Sequence, residues 1–349
     1  MRARAIDWLR GLAALVMVQT HALVLVQPAL REGPASKLMG VIDGTVAPAF
    51  YFCAGFALAY TLVGAGKKNA VAKRARRIFF RSLQVLAVAA WLTWQWFPIF
   101  DEPKWLLRID VLSCIGLSLL VLLVISAPLA KFPRTLGLLM LALASAIFAF
   151  APAMSRMHGP LAPFIGISTG SVFPLVPWGG HLAFGAAGGA LIACGFKSIR
   201  VWGVLAIWAV VSRIVTGHFA AAFGEHDPWS EPAGQWQRVC VVMAVTLLFA
   251  LVELRVGDAK PSVPRRVLEW YGTTSLWLYA LHEVWLYMPK FGFCFNDHWG
   301  NRLTWPQYVG ATLLLILAAT VTVGGVELVS WCWDRAKQMG LEIVRGQKA

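Results

Sequence analysis

"RGLAALVMVQTH", Arg10 to His21, decides how this chain is read. The apolar run opens on an arginine and carries a histidine eleven residues on. A segment that only anchors a chain in lipid has no use for that histidine. Eleven residues at about 100° each make three turns plus about 20°, so the two share one helix face, about 16 Å apart along the axis. Asp7, three residues before Arg10, is spaced to pair with it. The basic start and the following "QPAL" mimic a secretory leader. An acid and a histidine are out of place in one, so the run is expected to remain as a first membrane span.

Similar runs recur along the whole chain. Of its 349 residues, 58% are hydrophobic and 14% charged, with mean hydropathy +0.66. A soluble domain carries about 25% charged residues. Apolar runs of roughly 17 to 25 residues cross a hydrocarbon core of about 30 Å, and backbone amides that cannot stay unpaired in lipid make them helices. Ten helices are expected, near 11–27, 45–63, 79–97, 110–127, 135–152, 174–195, 199–215, 236–254, 272–288 and 306–332. The fold class is therefore an all-α polytopic membrane protein, a single integral-membrane domain over 1–349.

Charge orients it. With both termini cytoplasmic, 22 of the 31 Lys and Arg fall inside and 9 outside, and the densest cluster, "KKNAVAKRARRIFFR" (Lys67 to Arg81), joins the second and third helices. The reverse orientation violates the positive-inside rule. The net charge of +14 is thus topology charge, and no nucleic-acid motif accompanies it. Cys53, Cys114, Cys194, Cys240, Cys294 and Cys332 form no CxxC, which argues against a disulfide framework or zinc site; no metal is expected. Three outer loops, Ala151 to Trp178, Thr216 to Trp236 and Lys290 to Pro306, are rich in Trp, His, Gly and Pro. They fit either a cap over a cavity or the membrane interface.

An ionisable residue inside a span costs about 2.5–3.5 kcal/mol on insertion scales, which makes it a functional candidate. His21 comes first, against the alternative of a histidine bonded to a neighbouring helix; Arg10 could equally snorkel to lipid phosphates. His282 lies within "GTTSLWLYALHEVWLYMP" beside Glu283. Adjacent helical positions point about 100° apart, so the two need not share a face. Asp110 opens the fourth helix and suits an N-cap as well as a catalytic role, with Ser113 one turn on. Trp178 and His181, in "FPLVPWGGHLAFG", follow a Pro- and Gly-rich lead-in that only a protein-lined or wet cavity tolerates. They are candidate substrate contacts, though packing explains them nearly as well. Glu253 and Glu327 read as interfacial or paired. No P-loop, GxSxG or HExxH is present. Histidines and an acid on several helices above a basic inner face suggest chemistry between a cytosolic anionic donor and an acceptor from outside.

At these residues the chain resembles the transmembrane acyltransferases, which include the acyltransferase-3 and the heparan-α-glucosaminide N-acetyltransferase-like proteins. "RAIDWLRGLAALVMVQTH" is similar to their first helix, in which an Arg and a His are separated by ten residues. "APAFYFCAGFALAYTL" followed by "KRARRIFFR" resembles their second helix and basic inner loop. "DVLSCIGLSLL", "FPLVPWGGHLAFGAAGGAL" and "GTTSLWLYALHEVWL" look more like the heparan-α-glucosaminide N-acetyltransferase-like branch. The likeness spans nearly the whole chain. It departs at Glu283, where a neutral polar residue is expected after the histidine, and in showing no boundary to a separate soluble domain.

The resemblance implies an acyltransferase that moves an acyl group, acetyl by expectation, from cytosolic acyl-CoA to a hydroxyl or amine of an extracytoplasmic sugar or glycan. His21 would take the acceptor's proton, directly or by way of an acyl-histidine. Arg10 would hold donor phosphate or pantetheine, helped by Arg77 and Arg81. Asp110 or His282 would orient the base or the acceptor. Acyl-CoA, the glycan acceptor and membrane lipid are the implied partners, with a homo-oligomer as a further option, in a bacterial inner membrane. The rival readings are a secondary transporter with a midplane polar site, which should show two similar halves, and a catalytically silent scaffold that would not need His21.

Overall fold

A chain of apolar runs joined by short loops has one way to satisfy its amides in lipid, and every one of the ten expected runs is helical. The structure is a computed structural model that describes residues 3–154, 157–159, 161–166, 171–223, 231–257, 262–288 and 292–346. Within the three aromatic outer loops, 155–156, 160, 167–170, 224–230 and 290–291 lie outside the described residues. The helices are α1 (Arg4–Ala22), α2 (Pro34–Asp43), α3 (Val46–Gly66), α4 (Val71–Trp96), α5 (Val111–Ser126), α6 (Pro133–Met154) and α7 (Ala162–Ile165). They continue with α8 (Leu175–Cys194), α9 (Ser198–Phe223), α10 (Glu231–Val256), α11 (Val263–Tyr287), α12 (Phe295–Trp299) and α13 (Trp305–Gly346). Among the described residues the only β pairing is one bridge, Val26 to Leu303.

Seven helical segments among the described residues are long and apolar enough to cross a membrane, in Arg4–Leu25, Ser36–Gly66, Pro133–Met154, Leu175–Cys194, Ser198–Ala222, Glu231–Val256 and Trp305–Trp333. α5 is apolar but shorter. α4 and α11 have the length, but Lys73 to Arg81 in one and the Arg265, Arg266 and Glu269 group with His282 and Glu283 in the other lower their hydropathy. The protein is an all-α polytopic membrane protein.

By contacts the chain divides into two units, residues 1–13 with 41–272 and residues 14–40 with 273–349. In the first unit α3 and α8 lie against each other through glycines. A Cβ on Gly55 would stand 1.9 Å from the Leu182 carbonyl oxygen, and one on Gly185 would stand 2.0 Å from that of Phe52. Absent side chains let the backbones touch, which replaces the hydrophobic drive that lipid removes. The same device joins α1 to α11, where a Cβ on Gly11 would sit 2.0 Å from the Leu268 oxygen and one on Gly272 2.4 Å from that of Asp7. Around α3 and α8 the buried Phe52, Phe148, Phe184, Trp202 and Leu205 fill the core.

In the second unit, α1 ends sooner than the expected 27. It stops at Ala22 and passes into a 3-10 turn, Leu23–Leu25. The carbonyls that would continue it are taken elsewhere. Val24 and Leu25 accept backbone N–H groups from Asn301 and from Arg302 and Leu303, and the Arg31 guanidinium donates to the Val24 and Val26 carbonyls. Gln19 and Tyr308 then tie α1 to α13, with the Gln19 amide donating to the Tyr308 hydroxyl at 2.7 Å and that hydroxyl donating to the Gln19 carbonyl at 2.9 Å.

Candidate active site

His21 stands in the last turn of α1. Two consecutive residues of α11 face it: His21 Nδ1 is 2.7 Å from His282 Nε2 and 2.7 Å from Glu283 Oε1, and the last two atoms are 3.4 Å apart. Neighbours about 100° apart on a helix can both reach one atom that sits between them, which is how His282 and Glu283 come to share a partner. His282 is fully buried and the Glu283 side chain 8% exposed, whereas that of His21 is 31% exposed. The Tyr279 ring stands edge-on to both imidazoles, and the Tyr287 hydroxyl donates to the His21 carbonyl at 3.3 Å.

The proton positions follow from the partners. His282 Nδ1 is 3.0 Å from the Leu278 carbonyl, one turn back on α11. A carbonyl only accepts, so Nδ1 carries the hydrogen and a neutral His282 offers a lone pair at Nε2. An ionised Glu283 also only accepts. In neutral rings His21 Nδ1 therefore holds the proton of the bond to His282 Nε2, with the Glu283 carboxylate beside it, and His21 Nε2 is left as the lone pair. The ring centroids of the two histidines are 4.9 Å apart and their planes differ by 22°. With 2.7 Å between the nitrogens, the rings meet nearly in line, the geometry an N–H to lone-pair bond requires. With both rings neutral, the arrangement offers a basic nitrogen at His21 Nε2, backed by a buried carboxylate and oriented by a second histidine.

The cations lie in the first unit. Arg10 pairs with Asp7 at 3.2 Å, as their spacing suggested, while its Nε is buried with no hydrogen-bond partner. Arg77 and Arg81 line a cleft of about 570 Å³ with Lys73, Arg76, Phe80 and Gln84. A neighbouring cleft of about 300 Å³ is bordered by Tyr60, Lys68, Arg74 and again Arg77. Both offer guanidinium and ammonium groups beside an aromatic ring, a surface suited to a phosphorylated nucleotide.

The other expected residues have evident structural work in the same unit. Asp110 caps α5, accepting the Ser113 amide at 2.6 Å. His181 is 2% exposed, hydrogen-bonded to Gln235 at 3.0 Å and packed against Phe148. Trp178 lies between Phe173 and Tyr51 with the Arg238 guanidinium over its ring, and its Nε1 is buried without a partner. Sequence reasoning left Glu283 out of the site and missed Lys73 and Arg76. The signal for Glu283 was its acid placed next to an intramembrane histidine.

No curated protein matches the chain. A family model described as an acyltransferase domain matches residues 4–323, nearly the whole length and every helix that carries these residues. With that span, the chain belongs to the acyltransferase-3 family and is a membrane acyltransferase.

Proposed function

We propose that the protein moves an acetyl group from cytosolic acetyl-CoA to a hydroxyl or amine of an extracytoplasmic sugar or glycan, in a bacterial inner membrane. One observation carries the reading: the contacts at 2.7 Å and the His282–Leu278 bond leave the lone pair of His21 on Nε2. The acceptor O–H or N–H gives its proton to Nε2 as its heteroatom attacks the thioester carbon. The ring becomes an imidazolium, and Glu283, already bonded to Nδ1, balances the new charge. The C–S bond breaks, and the CoA thiolate leaves with the proton returned by Nε2. Arg10, Arg77 and Arg81 are the proposed donor contacts; the cationic cleft that Arg77 and Arg81 line and the three phosphate groups of CoA support the latter two. Trp178 and His181 are the proposed acceptor contacts. The likeness to heparan-α-glucosaminide N-acetyltransferase-like proteins supports acetyl as the group and a sugar as the acceptor, and the distribution of Lys and Arg supports a cytosolic donor side.

The test is acetyl-CoA turnover by the purified protein in detergent, read as thiol release, for wild type and His21→Ala, with CoA binding and melting measured on both. General-base removal costs about 10²–10⁴-fold, and a loss of that size in a folded, CoA-binding variant supports the assignment. Unchanged turnover removes His21 from the chemistry. A wild type that neither binds nor consumes acyl-CoA overturns the donor and brings the transport reading forward.

A further inference from the structure

Two imidazole nitrogens and a carboxylate oxygen, from His21, His282 and Glu283, all lie within 4.8 Å of one another. That is the donor set of a borderline divalent transition metal such as Zn²⁺. His282 is already in the form a metal needs, because its Nδ1–H is held by the Leu278 carbonyl and its Nε2 lone pair faces the cluster. Metal-bound histidines are typically oriented by such a backbone bond on the far nitrogen.

The distances can be compared with the ion. Ligands about 2.0–2.1 Å from a tetrahedral zinc stand about 3.3 Å from each other. His282 Nε2 and Glu283 Oε1 are 3.4 Å apart, close to that spacing. His21 Nδ1, at 2.7 Å from each, must draw back by about 0.6 Å to reach the ~3.3 Å spacing. It is also the most exposed of the three side chains, and so the one with room to move. Its exposed side leaves a fourth position open to a further ligand.

We infer that His21, His282 and Glu283 form a binding site for one zinc-class divalent ion, and that filling it silences His21 as a base. The second clause rests on the proposed function; the first does not. Coordination at Nδ1 takes the lone pair there, so the neutral ring carries its proton on Nε2. The Nδ1 proton passes to water and Nε2 takes one from water, with no net change in protons on the ring. Nε2 then has no lone pair for the acceptor's proton. Neither periodicity nor spacing announces the site, since its ligands come from two helices 261 positions apart in sequence.

The experiment uses the full chain in detergent, stripped with a chelator and dialysed against Zn²⁺, with bound metal counted by elemental analysis and turnover measured in parallel. One equivalent is expected on wild type. His282→Ala and Glu283→Gln should each weaken binding by at least the roughly 10–100-fold that losing even an outer-shell partner costs. Co²⁺ in place of Zn²⁺ on the unaltered protein should give the strong visible absorption of a tetrahedral site, a readout that needs no variant. Metal that binds weakly, in non-integral amount or equally to the variants, or cobalt that stays octahedral, overturns the site. One equivalent of zinc on a protein that turns over unimpeded keeps the site and removes His21 as base. Active protein that binds no zinc keeps the base and removes the site.

Discussion

Glu283→Gln separates chemistry from stability at one atom. The substitution keeps the size of the side chain and an acceptor oxygen for His21 Nδ1, now 2.7 Å away, and removes only the charge. A hydrogen bond to a charged group contributes about 1.5–3 kcal/mol. That contribution counts toward rate, because the ring turns cationic only after Nε2 takes the acceptor's proton. Removing it raises the barrier by about the same amount, which is roughly 10–150-fold in kcat. Stability should move the other way. At 8% exposure the carboxylate is held away from water at a desolvation cost, and an amide of equal volume escapes much of it. Steady-state thiol release from acetyl-CoA gives kcat, and thermal unfolding in the same detergent gives stability. The expected result is a slow enzyme that melts no lower than wild type. A variant with kcat within twofold of wild type would refute the role of the carboxylate. Activity that falls only in step with a lower melting temperature would show that Glu283 supports the fold alone.

Two other expectations concern packing and donor binding. Gly185→Ala places a Cβ 2.0 Å from the Phe52 carbonyl oxygen, so α3 and α8 must part, and a loss of about 1–3 kcal/mol is expected by thermal unfolding. Gly203→Ala, on α9 with nothing within 4 Å, is the control and should be neutral or gain up to about 1 kcal/mol; equal effects at the two positions would defeat the close-approach argument. Arg77→Gln and Arg81→Gln each remove one exposed cation from the 570 Å³ cleft. Each should raise the KM for acyl-CoA by up to about fivefold with kcat held, an effect that shrinks at high salt.

Helix positions were legible in the sequence where an apolar run and a helix coincide. The expected 174–195 meets Leu175–Cys194, and 135–152 meets Pro133–Met154. Hydropathy fails at polar continuations. α10 begins at Glu231 rather than 236, with Gln235 turned to His181. α11 begins at Val263 rather than 272, its polar first turns carrying Leu268, whose backbone meets Gly11. α13 runs on past 332 to Gly346 over residues too polar for lipid. At the site, His21 and His282 each stood out as ionisable groups in apolar runs, but their meeting at 2.7 Å did not. Contact across helices leaves no trace in the period of either. The angle between adjacent residues even pointed away from the answer for Glu283, because it describes directions from the axis and not a third atom placed between them.

The bond from His282 to the Leu278 carbonyl has one more consequence. Two hydrogen-bonded histidines within a membrane-spanning bundle are the start of a proton wire, and a wire through an energised membrane dissipates its gradient. Here the wire ends in the backbone. A proton that reached His282 Nε2 from His21 can return to His21 or pass to the Glu283 carboxylate 3.4 Å away, while Nδ1 faces an amide oxygen that has no way to hand it on. Through the second ring itself, charge goes no further than the Leu278 carbonyl. By lodging the second ring against its own helix, the fold closes that one route for protons from an acid–base group inside a membrane.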